Sequence, residues 1–299
     1  MSDQSVSVIL VSFNTSDLTV NCLKSLYQYV KCDFETIVVD NNSTDDTITK
    51  INSLKLKNLK IIKSNTNLGF GKGNNLGVKH AKGEFVLLLN TDTVFIEDCV
   101  SPLLETFRSK PFGFASVRLL NKDLTIQNSG GSFLTLFNLA LWQFGLDDLP
   151  VLNQLTTSFH PHLNLLDLSK YQPNWLTGAF LLIPKKNYLQ VGGFDENIFM
   201  YVEELEFEYR LALEKLYGYF DHRHSLVHLG GASGTKGSAL VSEVKGILYF
   251  YQKHKSKIEF MFAKKIIQIG SLLRWLFFGI IKRDERARHT YWEAIRLTA

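Results

Sequence analysis

Glu84-Phe85-Val86-Leu87-Leu88-Leu89-Asn90-Thr91-Asp92-Thr93 is an apolar run that stops abruptly at Asn-Thr-Asp. Leu87 to Leu89 lack the polar alternation of a half-solvated strand and read as a strand buried on both faces, the kind found in sheets covered by helices. A carboxylate at the mouth of such a strand costs free energy unless something compensates it. In an open α/β sheet ligands sit at the carboxyl ends of the strands, so Asp92 is placed to hold a metal ion or a sugar hydroxyl. Capping of the next helix is the plainer alternative.

Upstream, Val6 to Phe13 predicts a strand and Asp17 to Val30 a helix, with Leu18, Cys22, Leu26 and Tyr29 at helical spacing. Phe34 to Val39 predicts a second strand ending at Asp40. Asn41-Asn42-Ser43-Thr44-Asp45-Asp46 then supplies a turn and a capping box, Ser43 as N-cap and Asp46 at N3, opening a helix to about Leu54. Leu59 to Lys63 predicts a third strand, followed by a Gly- and Asn-rich loop and a helix through Val78 and Ala81. This alternation argues for βαβ crossovers and a parallel sheet of nucleotide-binding type.

Downstream, periodicity weakens between Asn121 and Tyr171, where loops over the sheet, a flap or an acceptor loop, are expected. Trp175 to Ile183 predicts a strand, and Tyr201 to Leu216 a helix with Leu205, Tyr209, Ala212, Leu213 and Leu216 on one face. Phe260 to Arg288 is apolar, with Trp275-Leu276-Phe277-Phe278 among basic residues. Charge interrupts it too often for a spanning helix, and its cationic flanks favour a helix lying in a membrane interface or packed on a partner.

Among 299 residues, 45% are hydrophobic, which supports a sizeable core and argues against disorder. Lys and Arg number 33 against 29 Asp and Glu, an excess too small to imply nucleic acid as a partner. Cys22, Cys32 and Cys99 are odd in number and lack metal-ligand spacing, which fits a reducing cytoplasm. Met1-Ser2-Asp3-Gln4-Ser5 leads straight into the first strand without a basic and apolar leader, so the protein is expected to stay inside the cell.

Asp40 and Asp92 end strands of one predicted sheet and should face one crevice. Between them Asn65 to Asn75 carries glycines that let backbone approach a ligand, ahead of a helix whose free N–H groups suit a diphosphate. Asn74 stands where the third glycine of G-x-G-x-x-G would fall, so this is not a dinucleotide fingerprint. Glu203-Glu204-Leu205-Glu206-Phe207-Glu208 puts four carboxylates in the first turns of a helix. The helix dipole explains one or two; one of the others is a candidate general base toward a hydroxyl. His222, His224 and His228 alternate along a predicted strand and would share a face, without a matching Cys for zinc; His228, before Gly230-Gly231-Ala232-Ser233, is the one chosen to join Asp92 on a metal.

These motifs together resemble the family 2 glycosyltransferases of the GT-A fold, in particular the rhamnosyltransferase-like branch that builds bacterial surface polysaccharides. The resemblance runs from about Val6 to Ser233. Val39-Asp40-Asn41-Asn42-Ser43-Thr44-Asp45 looks like V-D-N-x-S-x-D, Asn65 through Gly77 like N-x-N-x-G-F-x-x-x-N-N-x-G, and Leu89-Asn90-Thr91-Asp92 like the L-N-P-D form of D-x-D. Gly178-Ala179 and Val191-Gly192-Gly193-Phe194-Asp195-Glu196 look like the acceptor-side G-A and G-G-F-D-E signatures.

The resemblance implies an α/β GT-A nucleotide-diphospho-sugar transferase fold: a mainly parallel central sheet flanked by helices, with a C-terminal helical appendage. The glycosyltransferase domain would span 1–255, with a nucleotide-binding half at 1–95 and an acceptor-binding half at 96–255, followed by an amphipathic helical segment at 256–299. By the same resemblance Ser12, Asn14, Asp40, Asn67, Gly69, Asn75, Asn90 and Asp92 bind the sugar nucleotide. Asp92 and His228 hold Mg2+ or Mn2+, Glu204 is the base, and Trp175, Gly178, Asp195 and Glu203 face the acceptor. The expected activity is inverting transfer of rhamnose from dTDP-rhamnose to a saccharide, often lipid-linked, by a protein peripheral on the inner face of the cell membrane through its C-terminal helix, with a homodimer as a further expectation. A UDP-hexose donor, or a sugar-nucleotide-binding partner without catalysis, are the rival readings.

Two departures stand out. Asn90 replaces the first Asp of D-x-D, and Glu204 stands where the family reads Asp in Glu-Asp-x-Asp. The extra methylene moves the carboxylate by about a bond length, and a misplacement of roughly 1 Å can cost about a hundredfold in rate.

Overall fold

The computed structural model describes residues 6–146, 159–161, 163, 167–230 and 236–298. Its first half follows the predicted alternation: β1 (Val6–Ser12), α1 (Ser16–Tyr29), β2 (Phe34–Asp40), α2 (Thr47–Ser53), β3 (Leu59–Lys63), α3 (Phe70–Val78) and β4 (Phe85–Leu89). β1 pairs in parallel with β2 and β4, and β2 with β3. The register sets Ser12 beside Asp40 and Leu10 beside Leu89, so the loops after these strands open at one edge. The capping box at Ser43 does not form. Asp46 is the N-cap residue of α2, and Ser43 Oγ instead accepts from the Asn14 backbone N–H at 3.0 Å, joining the two loops across the edge.

Beyond β4 come β5 (Thr93–Phe95), α4 (Val100–Ser109), β6 (Phe114–Leu120), β7 (Gly130–Gly131) and α5 (Leu136–Phe144). Then follow β8 (Trp175–Leu176), β9 (Phe180–Pro184), α6 (Lys185–Gln190), α7 (Glu203–Leu213) and β10 (Gly218–His228). Eight strands form the main sheet in the order β3-β2-β1-β4-β9-β6-β10-β5. It is more mixed than expected: β9 runs antiparallel to β4 and β6, and β5 antiparallel to β10. β9 begins at the edge where β4 ends, Phe180 opposite Leu89, so it must run back against its neighbour.

The predicted strand over Trp175 to Ile183 is two strands, because Thr177 to Ala179 break out of the ladder and β8 pairs with β7 in a separate two-stranded sheet. The irregular stretch from Asn121 holds α5, closed at its start by a Thr135–Asn138 capping box and at its end by Gly145 in the left-handed conformation. Part of the expected flap, and Gly231, Ala232 and Ser233, lie outside the described residues.

Leu87 and Leu89 enter one core with Leu23 and Leu26 of α1, while Val86 and Leu88 enter another with Phe207 and Leu211 of α7. The apolar run is thus buried on both faces, as its lack of alternation requires. A third core joins Trp175, Val202 and Leu205 to the C-terminal helices α8 (Lys236–His254), α9 (Lys257–Arg274) and α10 (Glu285–Arg296) through Ile247, Ala263, Ile267 and Ala294. The expected single helix over Phe260 to Arg288 breaks instead into α9, a π-helical segment at Trp275–Ile281, and α10. No described helix is long and apolar enough to cross a membrane.

Candidate active site

The loops after β1, β2 and β4 surround a cavity of about 430 Å3 lined by Asn14, Asn41, Asn67, Gly69, Asn90 and Asp92, among others. Asn41 organises one wall. Its Nδ2 donates to Asn67 Oδ1 at 2.9 Å and to the Gly69 carbonyl at 3.1 Å, and its Oδ1 accepts from Leu68 N–H at 3.0 Å. Gly69 is needed at the start of α3, since its φ is +77° and a Cβ there would lie 2.2 Å from the Phe199 carbonyl oxygen. Asn14, also at positive φ, takes the Thr44 N–H on its Oδ1 at 2.8 Å. Asp40 lies buried beside this lattice; its Oδ2 accepts from Ser43 N–H at 3.4 Å and its Oδ1 has no partner.

Across the cavity Asp92, at the end of β4, meets β10. His228 Nε2 lies 3.2 Å from Asp92 Oδ1, with Asn90 Nδ2 3.5 Å from the same nitrogen. His228 Nδ1 faces Gln127 Oε1 at 2.6 Å. The other two histidines stay out of this group. A bulge between Asp221 and Ser225 breaks the alternation that would have aligned them, and His224 Nδ1 is 2.8 Å from Asp221 instead. Among the described residues no three His, Cys, Asp or Glu side chains gather as a metal cage. One carboxylate and one imidazole nitrogen fit a small hard cation that takes its remaining ligands from phosphates and water.

The expected acceptor side falls at the start of α7. Tyr201 and Val202, expected within the helix, precede it at φ of +70° and +72°. A β-branched residue there stores roughly 1–3 kcal/mol of backbone strain. α8 braces this turn at Gly246, where an added Cβ would fall 2.7 Å from the Tyr201 carbonyl oxygen. Glu204 follows, half-buried, with Oε2 sealed from solvent and unpartnered. It does not line the cavity; a Cβ added at Gly178 would lie 3.9 Å from Glu204 Cβ and 2.9 Å from the ring of Phe70, a residue that does line it. Burial raises the Glu204 pKa, opposed by the Gly178 N–H; Glu243 pushes it further up and His160 down. Glu203 and Glu208 are buried more completely and burial holds both well above the ordinary carboxylate range.

Several expected site residues serve the scaffold. Ser12 Oγ is engaged by Thr15 and Thr19, both at 3.0 Å, beneath the cavity floor. Asn75 ties α3 to the Gly193–Glu196 turn, donating to the Phe194 carbonyl and accepting from Phe194 N–H at 2.9 Å each and from Tyr188 Oη at 2.6 Å. Asp195 turns away from the cavity toward α8, where Lys253 Nζ at 2.5 Å and Tyr249 Oη at 2.8 Å hold it below the usual carboxylate range against the effect of burial. Trp175 is buried in the third core. Glu206 is enclosed by His254, Arg210 and Lys253, which overcome its burial and bring its pKa down to about 2.

Asn41 was visible as part of a motif but had no assigned role; its place directly after a strand-ending Asp was the available signal. Phe70, Thr91, Phe199 and, from α8, Ser238 and Ser242 also line the cavity. Nothing in their local sequence distinguishes them.

The family model described as Glycosyl transferase family 2 matches residues 7–154. The low-salt glycan biosynthesis hexosyltransferase of Haloferax volcanii is 27% identical over 220 residues, covering 71% of this chain but only 62% of that protein. A rhamnosyltransferase of Escherichia coli K12 is 25% identical over 224 residues, 70% of this chain and 77% of that protein. Among solved structures, a mannosyltransferase from Pyrobaculum calidifontis in complex with GDP-Man and Mn2+ aligns at a TM-score of 0.58 and 13% identity over 98% of this chain and 84% of that one. At that identity the likeness is one of fold. The chain has the fold of the GT-A glycosyltransferases, and from residue 7 to residue 154, just under half of its length, it is similar to glycosyl transferase family 2.

Proposed function

We propose that this chain is an inverting glycosyltransferase that moves a sugar from a nucleoside-diphosphate donor to a saccharide acceptor, with dTDP-rhamnose as the favoured donor and a lipid-linked glycan as the acceptor. The observation that carries the reading is the approach of His228 Nε2 to Asp92 Oδ1, 3.2 Å, facing the Asn41–Asn67–Gly69 wall. That pairs a cation-binding edge with backbone and amide groups suited to a nucleotide. The rhamnosyltransferase of E. coli supports the donor assignment, and the H. volcanii relative supports a place in glycan assembly.

The unpartnered Oδ1 of Asp40 is available to accept from a pyrimidine N–H. Asn14, Asn67 and Gly69 line the space for the ribose and diphosphate, and Asp92 with His228 would hold Mg2+ or Mn2+. What such an ion supplies when bound is neutralisation of negative charge on the departing diphosphate. Glu204, unpartnered at Oε2, takes the proton of the acceptor hydroxyl as that oxygen attacks the anomeric carbon. The C–O bond to the acceptor forms as the bond to the diphosphate breaks, and one in-line displacement inverts the carbon. A base with a raised pKa makes turnover climb with pH until the carboxyl is ionised.

The C-terminal helices expose Phe262, Leu273, Phe277 and Ile281 beside Lys282 and Arg283, a combination suited to anionic lipid. We assign this face to the inner surface of the cell membrane. Deleting it would remove Ala263, Ile267 and Ala294 from the third core, so paired Phe262→Ser and Phe277→Ser substitutions are the cleaner probe of vesicle co-sedimentation.

Incubation with lipid extract, Mg2+ or Mn2+ and labelled dTDP-rhamnose or UDP-hexoses, followed by mass spectrometry, tests the whole reading. Rhamnosylated lipid supports it, a hexosylated one changes the donor, and binding without any transfer removes the enzyme assignment. Glu204→Gln should lower turnover by about 10²–10⁴ with donor affinity unchanged; full turnover in that variant would reassign the base.

A further inference from the structure

Gln127 follows β6 on a turn held by Asn121 and Thr125, far in sequence from every motif described above. Its backbone N–H donates to the Leu119 carbonyl at 2.8 Å, which fixes the main chain. Its side chain is fixed as well. Nε2 lies 3.0 Å from Asn121 Oδ1 and 3.3 Å from the His228 backbone carbonyl, and Oε1 lies 2.6 Å from His228 Nδ1.

The carbonyl of His228 decides the amide's orientation. It accepts only, and unlike a side-chain amide it cannot be flipped, so a reversed Gln127 would set two acceptor oxygens against each other. Oε1 therefore faces Nδ1, and a short contact with an acceptor requires that nitrogen to carry hydrogen. In the neutral ring the other nitrogen, Nε2, then presents its lone pair toward the Asn90 Nδ2 donor at 3.5 Å and beside Asp92 Oδ1, where a cation would be shared between the two acceptors. The rival arrangement, Nε2–H donating to Asp92, would need Nδ1 to accept from a group that offers it no hydrogen.

We propose that Gln127 is a positioning residue that fixes His228 as the Nδ1–H tautomer and so presents Nε2 as a ligand for a divalent cation beside Asp92. The inference rests on the metal reading given above for those two residues. Gln127 itself touches neither sugar nor ion; it acts through the imidazole, as outer-shell partners of metal-bound histidines do.

The test is nitrogen NMR of the full chain labelled in its histidines, with the His228 signals assigned by their loss in His228→Gln. The neutral, metal-free ring should show a protonated Nδ1 and an unprotonated Nε2. Gln127→Leu should release that preference and weaken binding of Mn2+ alone, followed by electron paramagnetic resonance, by about 10–100-fold. Asn121→Ala, which keeps Oε1 but frees half of the amide's anchoring, should fall between the two. A wild-type ring protonated at Nε2 overturns the proposal without recourse to any variant, as does a folded Gln127→Leu that keeps both tautomer and Mn2+ affinity. If the tautomer is as stated but wild type takes up no Mn2+, the positioning stands and the metal reading alone fails.

Discussion

The amide-rich wall of the cavity and the helix α7 behind it are made from opposite chemistry. The wall proposed for the nucleotide is a lattice of neutral amides, Asn14, Asn41 and Asn67, each bonded to backbone in the loops at this edge. The helix α7, packed behind the cavity without lining it, is rich in carboxylates. Within it Glu206 is enclosed by three cationic or protonatable partners, whereas Glu208, two residues later and as deeply buried, has Oε1 unpartnered and only the Leu176 N–H on Oε2 at 2.6 Å. Neutral amides do their work through geometry and are indifferent to pH. The carboxylates depend on which cations the fold brings to them, so α7 is the pH-sensitive region.

The sharpest way to break this contrast is Glu206→Gln. It leaves Arg210 and Lys253 facing each other without their shared anion, and should cost about 3–5 kcal/mol in urea unfolding at neutral pH. The sign with pH follows from the lowered pKa. The stabilisation is present above the ordinary carboxylate range and is lost as pH falls toward about 2, so wild type and variant should converge in acid. Equal stability at pH 7 would mean that the enclosure contributes nothing.

On the neutral wall, Gly69→Ala should cost about 1–3 kcal/mol through its positive φ and the Phe199 carbonyl, and should weaken donor binding in a calorimetric titration. Asn41→Ala should follow at about 1–2 kcal/mol, because Leu68 N–H loses its acceptor. Neither cost should change between pH 5 and pH 8; a cost that does change would mean a titrating group belongs to that wall.

The smallest effect is expected from Glu208→Gln, within about 1 kcal/mol at neutral pH, since an amide oxygen still accepts from Leu176 N–H. Its sign is opposite to that at Glu206. A carboxyl with a raised folded pKa contributes stability below the ordinary carboxylate range and loses it as pH rises through the folded value. The variant should therefore gain on wild type in alkaline unfolding curves. A parallel pair of curves would show that Glu208 is not held neutral.

The amide-rich wall was legible because its geometry is local. An unbroken apolar run needs a sheet covered on both sides, Asn and Gly after a strand end need a tight loop, and parallel pairing brings those loops to one edge. Asp92, Asn67 and Gly69 follow from such rules. The same rules misread Ser43, whose spacing satisfied a capping box while its hydroxyl was taken by Asn14, twenty-nine residues away. They also read Trp175 to Ile183 as one strand, since periodicity cannot show that residues 177–179 leave the ladder.

By itself the sequence determined the alternating α/β order, the sheet edge where the cavity opens, and the presence of a carboxylate-rich helix, because these depend on periodicity and on residues adjacent in the chain. Only the tertiary structure decided which carboxylate is enclosed by cations and which is left neutral, that Asp195 and Asn75 brace the scaffold, and that His228 meets Asp92 while Gln127 stands behind it. Those outcomes depend on partners up to 138 residues apart, and a charge or a tautomer is set by whatever lies within a few ångströms of it in space.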